Sequence, residues 1–534
     1  MQDDPGSSGP DPRRTGSWPP PDRRELLALA GVLVVATALR FAFLPTRGEF
    51  DLDQGHDMLV LRDLVTAGIV PLLGPPTSVG AGHHGAAWYY LLAPAALLNA
   101  ASDPVPVVAL LAALGVAAVA LTWWLARSIG GPVAGIMAAL VLAGSATSIQ
   151  ASTFIWNPSP MAAASALAFA AARKAWRDRA PAWWLLAGVG AMLTVQLHWL
   201  GGLIVPPLAA LWLADVIRAG RGAAGRWRGR RRVILAGLGA TGILAAGYLP
   251  LAVHEVTSGF SESRLILDYL AGGGEGATLD PLSRIVVSLL RAVGWPLAGP
   301  LVDAPAATFC AFILVAGIVT WRLVRGRGDE RAMVAWLGGS VAFASAALGL
   351  FIASASVVTP LPTDHYHAWL DPLVASLVGV GVAALVLVAR SREGSGVRRA
   401  AAAAATAGIV VAILAWDVAH VPPAVSPRGD WTAARAAADR IIAATPTGRI
   451  GFITLPAFKG ADAYGYPLTV SGRPPADPAT AATVVVLCED LWIPDCGGPA
   501  EARALEAVGG LGAFDLAASL QPAPGRTMTI LTRR

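Results

Sequence analysis

The sequence predicts an α-helical polytopic membrane protein of about 11–12 apolar segments, followed by a small C-terminal α/β domain. Three observations predict it. Of the 534 residues, 55% are hydrophobic and only 14% charged, whereas soluble domains carry roughly 25% charged residues. Mean hydropathy is +0.58, so the solvent for a chain of this length is the bilayer. Apolar runs recur from residue 25 to residue 418, separated by arginine clusters, and the composition changes after Val421. The formal net charge is +5, yet only Lys174 and Lys459 are lysines. Arginines clustered between apolar runs mark membrane orientation and exclude a nucleic-acid surface as their reason.

Residues 1–22 consist of Pro, Gly, Ser and charge and read as a disordered cytoplasmic tail. The first run, about 25–44, is long enough to span, and no small-residue cleavage site follows it. Arg13, Arg14, Arg23 and Arg24 hold its amino end in the cytoplasm. Further runs lie at 85–101, 104–126, 132–150, 159–173, 183–197, 200–217, 233–253, 305–321, 332–353, 367–389 and 400–418. Basic clusters at 173–179, 218–232, 322–331 and 390–399 are cytoplasmic markers. Between them the chain must leave and return. The loops 45–84, 254–304 and 354–366, the turn near His198, and everything after about 419 are therefore expected outside. Parity then requires that one early run does not cross, and 85–101, short and centred on Pro94, is that run. The multi-span domain is 23–420.

The histidines agree with this topology. His56, His83, His84, His198, His254, His365, His367 and His420 all fall on or near the outer face. Histidine also suits interfaces for hydration alone. Cys310 lies in an apolar run and reads as packing. Cys488 and Cys496, eight apart in the tail, suit a short-loop disulfide in an oxidising compartment.

The tail, 421–534, is expected to be an extracytoplasmic α/β domain. Asp430 caps a helix running to about Ala444. Strands fit Arg449–Leu455, Thr483–Cys488, Phe514–Leu520 and Thr527–Leu531, and a helix fits Pro499–Val508. It carries no nucleotide loop or nucleophile elbow, and reads as a cover for a site, an acceptor dock or a packing module.

The first outer loop holds the densest chemistry. Glu49, Asp51, Asp53 and Asp57 crowd into nine residues at the exit of the first span. A helix from about Asp53 to Gly68 sets Asp53 and Asp57 one turn apart on one face, with Met58, Leu61, Leu64 and Val65 as its apolar side. Interfacial carboxylates can accept a proton or bind a cation. A plain solvated acidic loop is the other reading.

This loop resembles the first periplasmic loop of GT-C-type glycosyltransferases that use polyprenyl-phosphate sugars, the protein mannosyltransferase and aminoarabinose transferase relatives. In that superfamily an acidic pair follows the first span, then a Gly-x-Pro turn and an aromatic segment. Here Asp53-Gln54 stands at the pair, followed by Gly68, Pro71 and Gly74-Pro75, then His84-Gly85 and Trp88-Tyr89-Tyr90. Gln54 departs from the second acid. Further likeness lies in Trp156-Asn157-Pro158 and Thr363-Asp364-His365-Tyr366. The match covers about 24–390 in architecture and only short motifs in sequence.

The resemblance implies a GT-C-like fold and an enzyme that moves a sugar from a polyprenyl-phosphate carrier to an acceptor hydroxyl at the outer membrane face, with inversion. The acceptor is a glycan, lipid or protein, and a divalent metal is left open. Asp53 is the implied base, supported by Asp51, Asp57 and Glu49. His83, His84, Asn157, His198, Arg284, Arg291, His365 and Tyr366 are candidates for the donor's phosphate or sugar. Arg284 and Arg291 lie on a helix opened by Asp280-Pro281, apolar at Leu282, Ile285, Val286, Leu289, Leu290 and Val293. Snorkelling arginines are the plainer reading there. A transporter or flippase would carry charges mid-span and an internal repeat. A non-catalytic envelope assembly factor would not need the acidic loop.

Overall fold

The computed structural model describes the chain except residues 1–18, 78–81, 221–225, 272–278, 352–365, 393–394, 491 and 494–495. Nearly all of the expected disordered tail, most of the loop 354–366, and His365 therefore lie outside the described residues.

Among the described residues, six helices are long and apolar enough to cross a membrane, or seven if the bent pair Arg228–Ala246 and Leu249–Ser258 is one span. The chain is a multi-pass membrane protein. Other expected runs are also helical but shorter or more charged. Helix α1 (Arg23–Phe41) and Met161–Asp178 carry charges at their ends, and Trp183–Leu197 has only 15 residues. Helix α2 (Leu52–Arg62) and helix α3 (Ala87–Ala96) belong to the stretch after α1. At about 1.5 Å per residue α3 covers only half the hydrocarbon thickness. Helix α4 (Val105–Gly144) is two helices joined at Gly131, whose φ of 83° breaks the spiral before Pro132. The chain folds back there, because a Cβ on Gly135 would lie 2.7 Å from the Trp123 ring and 2.8 Å from Arg127 Cβ.

The core of the bundle is the helix Asp371–Arg390, every residue of which from Asp371 to Ala384 is buried. It lies against α4 through small residues: a Cβ on Gly379 would stand 2.3 Å from the Ala134 carbonyl. Close backbone approach through glycine is how helices pack where lipid removes the hydrophobic drive. Charges mark one end of the bundle. Arg127 pairs with Glu25, and Arg173 pairs with Asp329 while donating to the Ser128 carbonyl at 2.9 Å. This end gathers the starts of α1 and Gly328–Phe351, the α4 turn and the basic end of Met161–Asp178. Arg40, near the other end of α1, is buried and donates to the Ala143 and Leu142 carbonyls and to Ser148 Oγ at 2.8–2.9 Å. The two carbonyls are ones that the end of α4 leaves without helical partners.

The tail is built on a four-stranded sheet, β1 (Ile450–Leu455), β2 (Thr483–Glu489), β3 (Phe514–Ala523) and β4 (Arg526–Arg533), in the order β1-β2-β4-β3. β1 and β2 run parallel and the other pairs antiparallel. β2 is central and wholly buried, as its unbroken apolar run TVVVLC requires. Asp430 caps Trp431–Ala444 by accepting from the Ala433 amide at 3.0 Å. Cys488 and Cys496 form a disulfide. The tail is seated on the loop that follows α1. Phe50 packs between Trp431 and Tyr466, with ring centroids at 5.0 and 6.0 Å. Its amide donates to the Gly429 carbonyl at 3.2 Å.

Candidate active site

The acidic loop leaves α1 and turns into α2, with Asp51 as N-cap. Gln54 Oε1 accepts from the Asp51 amide at 2.9 Å, and Gln54 Nε2 donates to the Ile155 carbonyl at 2.8 Å. The amide that replaces the resembled family's second acid is thus a buried brace, closing a capping interaction and tying α2 to the bundle. A π-helical turn, Asp63–Ala67, extends α2 to Gly68, whose φ of 70° ends it where the sequence places a left-handed residue.

The four acids have different surroundings. Asp57 is buried and accepts from Trp88 Nε1 and Tyr89 Oη, both at 2.8 Å. Burial raises it to about 7, against the pull of those two bonds. It therefore points into the packing between α2 and α3, not alongside Asp53 on an open face. Asp51 is paired, its Oδ1 3.0 Å from Arg526 and its Oδ2 3.6 Å from Lys459. Glu49 stands 3.7 Å from Arg428, and burial raises its pKa. Asp53 alone is exposed. Even so, the protein around it removes enough water to raise its pKa; Asp51 adds to this, while Lys459 and His56 oppose it. Asp53 thus stands open to solvent on the first turn of α2, with Asp51 beside it. The helix start by itself favours ionised Asp53, and here the sign is reversed: desolvation and the Asp51 charge outweigh the partial charge of the α2 amino end.

A second polar group forms where the chain re-enters the bundle. The Gly74 amide donates to the His84 carbonyl at 3.0 Å and the His84 amide to the Pro75 carbonyl at 2.9 Å, pairing Gly74 and Pro75 with His84. The His84 ring lies 4.7 Å from that of His198, which lies 5.4 Å from Tyr366. Asn157 Nδ2 donates to the Leu197 carbonyl beside them. His83 meets Glu262 through its amide at 2.9 Å and its ring at 3.1 Å, and Trp199 Nε1 donates to the His83 carbonyl at 2.9 Å. The structure thus gathers His83, His84, Asn157, His198 and Tyr366. Burial, then His83, lowers His84 to about 4. With no anion beside it among the described residues, the ring is neutral, and its N–H can donate to a hydroxyl or a phosphate oxygen.

Arg284 and Arg291 lie on Pro281–Ala298, capped as the sequence indicates by Asp280, which accepts from the Leu282 and Ser283 amides at 3.0 and 3.1 Å. Arg284 is half-buried. Arg291 is 1% exposed and Ser288 fully buried, so Arg291 is enclosed by protein and does not snorkel.

Sequence reasoning passed over Arg526, Lys459, Asp462 and Glu262, which reach the loop from 179 to 475 residues away along the chain. Only Lys459, one of two lysines, carried a signal. Among the described residues, no group of three or more His, Cys, Asp or Glu is arranged to hold a metal ion. An open cavity of about 310 Å³ at the seam between loop and tail is lined by Pro45, Asp103, Trp431, Thr432, Arg435 and Asp439 among others, and by neither Asp53 nor the histidines.

No protein-family model and no curated protein matches this sequence. Solved structures share its fold. ArnT from Cupriavidus metallidurans in the apo state superposes with a TM-score of 0.55 at 15% identity, over 95% of this chain and 97% of that one. The same protein bound to undecaprenyl phosphate gives 0.54 at 15% identity with the same coverage. The apo Archaeoglobus fulgidus oligosaccharyltransferase gives 0.50 at 16% identity, over 86% of this chain. This chain spans 65% of the length of that oligosaccharyltransferase. The class of protein so defined is a multi-pass membrane protein with a small terminal sheet domain, sharing the fold of ArnT.

Proposed function

We propose that this chain is a membrane glycosyltransferase that moves a sugar from a polyprenyl-phosphate carrier to an acceptor hydroxyl at the outer face of the cytoplasmic membrane, inverting the sugar carbon. In this reading the amino terminus is cytoplasmic and the tail extracytoplasmic. The domains are 1–22, 23–420 and 421–534. The observation that carries the reading is Asp53, the one exposed carboxylate among Glu49, Asp51, Asp53 and Asp57, on the first turn of α2. The fold shared with ArnT, a protein solved with undecaprenyl phosphate bound, supports the donor class.

The proposed chemistry runs through Asp53. Asp53 takes the proton of the acceptor hydroxyl. The freed oxygen pair attacks the anomeric carbon from the face opposite the phosphate, the carbon–oxygen bond to phosphate breaks, and polyprenyl phosphate leaves with the bonding pair. A carboxylate with a raised pKa is a stronger base than an ordinary aspartate. The leaving phosphate needs cations, for which Arg284, Arg291, His83 and His365 are the candidates, and neutral His84, with His198, Asn157 and Tyr366, suits sugar hydroxyls or a phosphate oxygen. Asp51 and Glu49 support Asp53 through charge, and Asp57 by holding the loop.

The test is an assay of purified protein with a panel of radiolabelled polyprenyl-phosphate sugars and crude envelope acceptors. Transfer from at least one donor, abolished in Asp53→Asn, is expected. No transfer from any donor overturns the reading.

A further inference from the structure

The reaction drawn above uses only the membrane body, yet charged side chains of the tail converge on the loop that carries Asp53. Arg526, the first residue of β4, is 7% exposed and divides its guanidinium between Glu489 of β2, at 2.9 and 3.0 Å, and Asp51, at 3.0 Å. Tyr464 Oη lies 3.4 Å from the same guanidinium. Lys459 approaches Asp51 from the other oxygen, and His56 Nδ1 meets Asp462 at 3.2 Å. The backbone contact is equally close. A Cβ on Gly55 would stand 2.2 Å from the Asp462 carbonyl, and one on Gly460 would stand 2.7 Å from Leu52. The first turn of α2 therefore rests directly on the tail, with Asp53 between the anchored residues Asp51 and Gly55.

We propose that Arg526, assisted by Lys459, is a positioning residue for the transfer reaction: it clamps Asp51, fixes the first turn of α2 and so presents Asp53, which makes the tail domain part of the active site. This inference rests on the assignment of Asp53 as base. A guanidinium fork can hold two carboxylates at once in a fixed plane, which an ammonium cannot. Burial works against the Arg526 charge, but Asp51, Tyr464 and Glu489 outweigh it and raise its pKa. Arg526 thus stays charged beside Asp51. The groups facing this turn are Glu49, Asp51, Asp53, His56 and Asp57 of the loop, Tyr89 of α3, Arg428, and Lys459, Asp462, Tyr464, Glu489 and Arg526 of the tail. Asp51 raises the Asp53 pKa. Removing a cation that offsets Asp51 leaves more of that repulsion acting on Asp53.

The test uses the full-length chain as Arg526→Gln, Arg526→Lys and Lys459→Gln, with the undecaprenyl-phosphate sugar that the donor panel identifies. Two readouts are taken: the pH profile of kcat with donor KM, and hydrogen–deuterium exchange of residues 51–62. Arg526→Gln should lower kcat by about tenfold or more, since a displacement of about 1 Å costs up to 10²-fold. Donor KM should change little, the acid limb should move to higher pH, and 51–62 should exchange faster. Lys459→Gln should move the acid limb the same way with a smaller loss of kcat. Arg526→Lys should restore part of kcat. An unchanged kcat and acid limb in Arg526→Gln overturn the proposal. So does a lower kcat with acid limb and exchange both unchanged. Should Arg526→Gln fail to fold, Lys459→Gln and Arg526→Lys decide by the same readouts. If the wild type turns over no donor, the transfer reading fails on its own, and unchanged exchange of 51–62 still overturns the clamp.

Discussion

The indole nitrogen of Trp88 donates to Asp57 Oδ2 at 2.8 Å, and the phenol of the next residue, Tyr89, donates to Asp57 Oδ1 at the same distance. One buried carboxylate thus accepts from two adjacent aromatic donors, and α2 is locked to α3. The first consequence is for stability. Asp57→Ala leaves both donors buried without a partner, at a cost of about 1–3 kcal/mol for each. A large drop in thermal midpoint in detergent is expected. Tyr89→Phe should cost less, because it removes one donor and leaves the other paired. A midpoint in Asp57→Ala equal to wild type would show that this lock carries no stability.

The His56–Asp462 pair gives a pH dependence. Its hydrogen bond to Asp462 raises the His56 pKa above the ordinary 6.5, against desolvation. A raised folded-state value means that the contribution to stability is fully present below about pH 6.5. It is lost as pH rises through the higher folded value. The pair is partly exposed, so about 0.2–1 kcal/mol is the scale. The midpoint difference between wild type and His56→Ala should be larger at pH 5.5 than at pH 8.5. The same difference at both values would remove His56 from the contact between loop and tail.

The legible parts of this protein were those set by local pattern. Asp280-Pro281 and Asp430 cap helices because an Asp before a helical run has one local use. Gly68 ends the loop helix for a similarly local reason. The strands of the tail alternate with Gly- and Pro-rich turns, and their edges were readable to within a few residues. The environment of each acid was not readable. Asp53 and Asp57 are one helical turn apart, yet one is open and the other sealed, which depends on where Trp88 and Tyr89 fold back. Nor does sequence show that Arg526 will meet Asp51, since no short-range pattern spans that separation. Arg291 reads from sequence either as a candidate for the donor phosphate or as a snorkelling residue, and only the packing of its helix encloses it.

Orientation makes a separate prediction. Arg228 is exposed within the arginine cluster expected in the cytoplasm, and Ala457 is exposed on the tail. In a Cys310→Ala background, a membrane-impermeant maleimide added to whole spheroplasts should label Ala457→Cys and spare Arg228→Cys. The native Cys488–Cys496 pair should resist alkylation until reduced. Labelling at 228 with protection at 457 would invert the protein and remove Asp53 from the outer face.

The last prediction concerns Asp53. As the base it must be ionised to act, so turnover is lost as pH falls through its pKa. Desolvation and Asp51 raise that pKa above the ordinary aspartate value of 3.8. The acid limb of the kcat profile should therefore lie above the range of an unperturbed aspartate. An isosteric amide keeps the shape of the side chain and removes its basicity. Loss of a general base costs about 10²–10⁴-fold in rate, and Asp53→Asn should lose that much turnover. Donor binding and thermal midpoint should stay close to wild type, because Asp53 is exposed. Asp51→Asn keeps an N-cap oxygen but gives up its charge pairing with Arg526 and Lys459. It should cost less turnover than Asp53→Asn. Asp57→Ala should lose folded protein first and activity only in proportion. The measurements are single-turnover transfer rates, donor binding and thermal midpoints for the three variants. Near wild-type turnover in Asp53→Asn together with a collapse in Asp51→Asn would move the base to Asp51. Full activity in both would remove the acidic loop from the chemistry altogether.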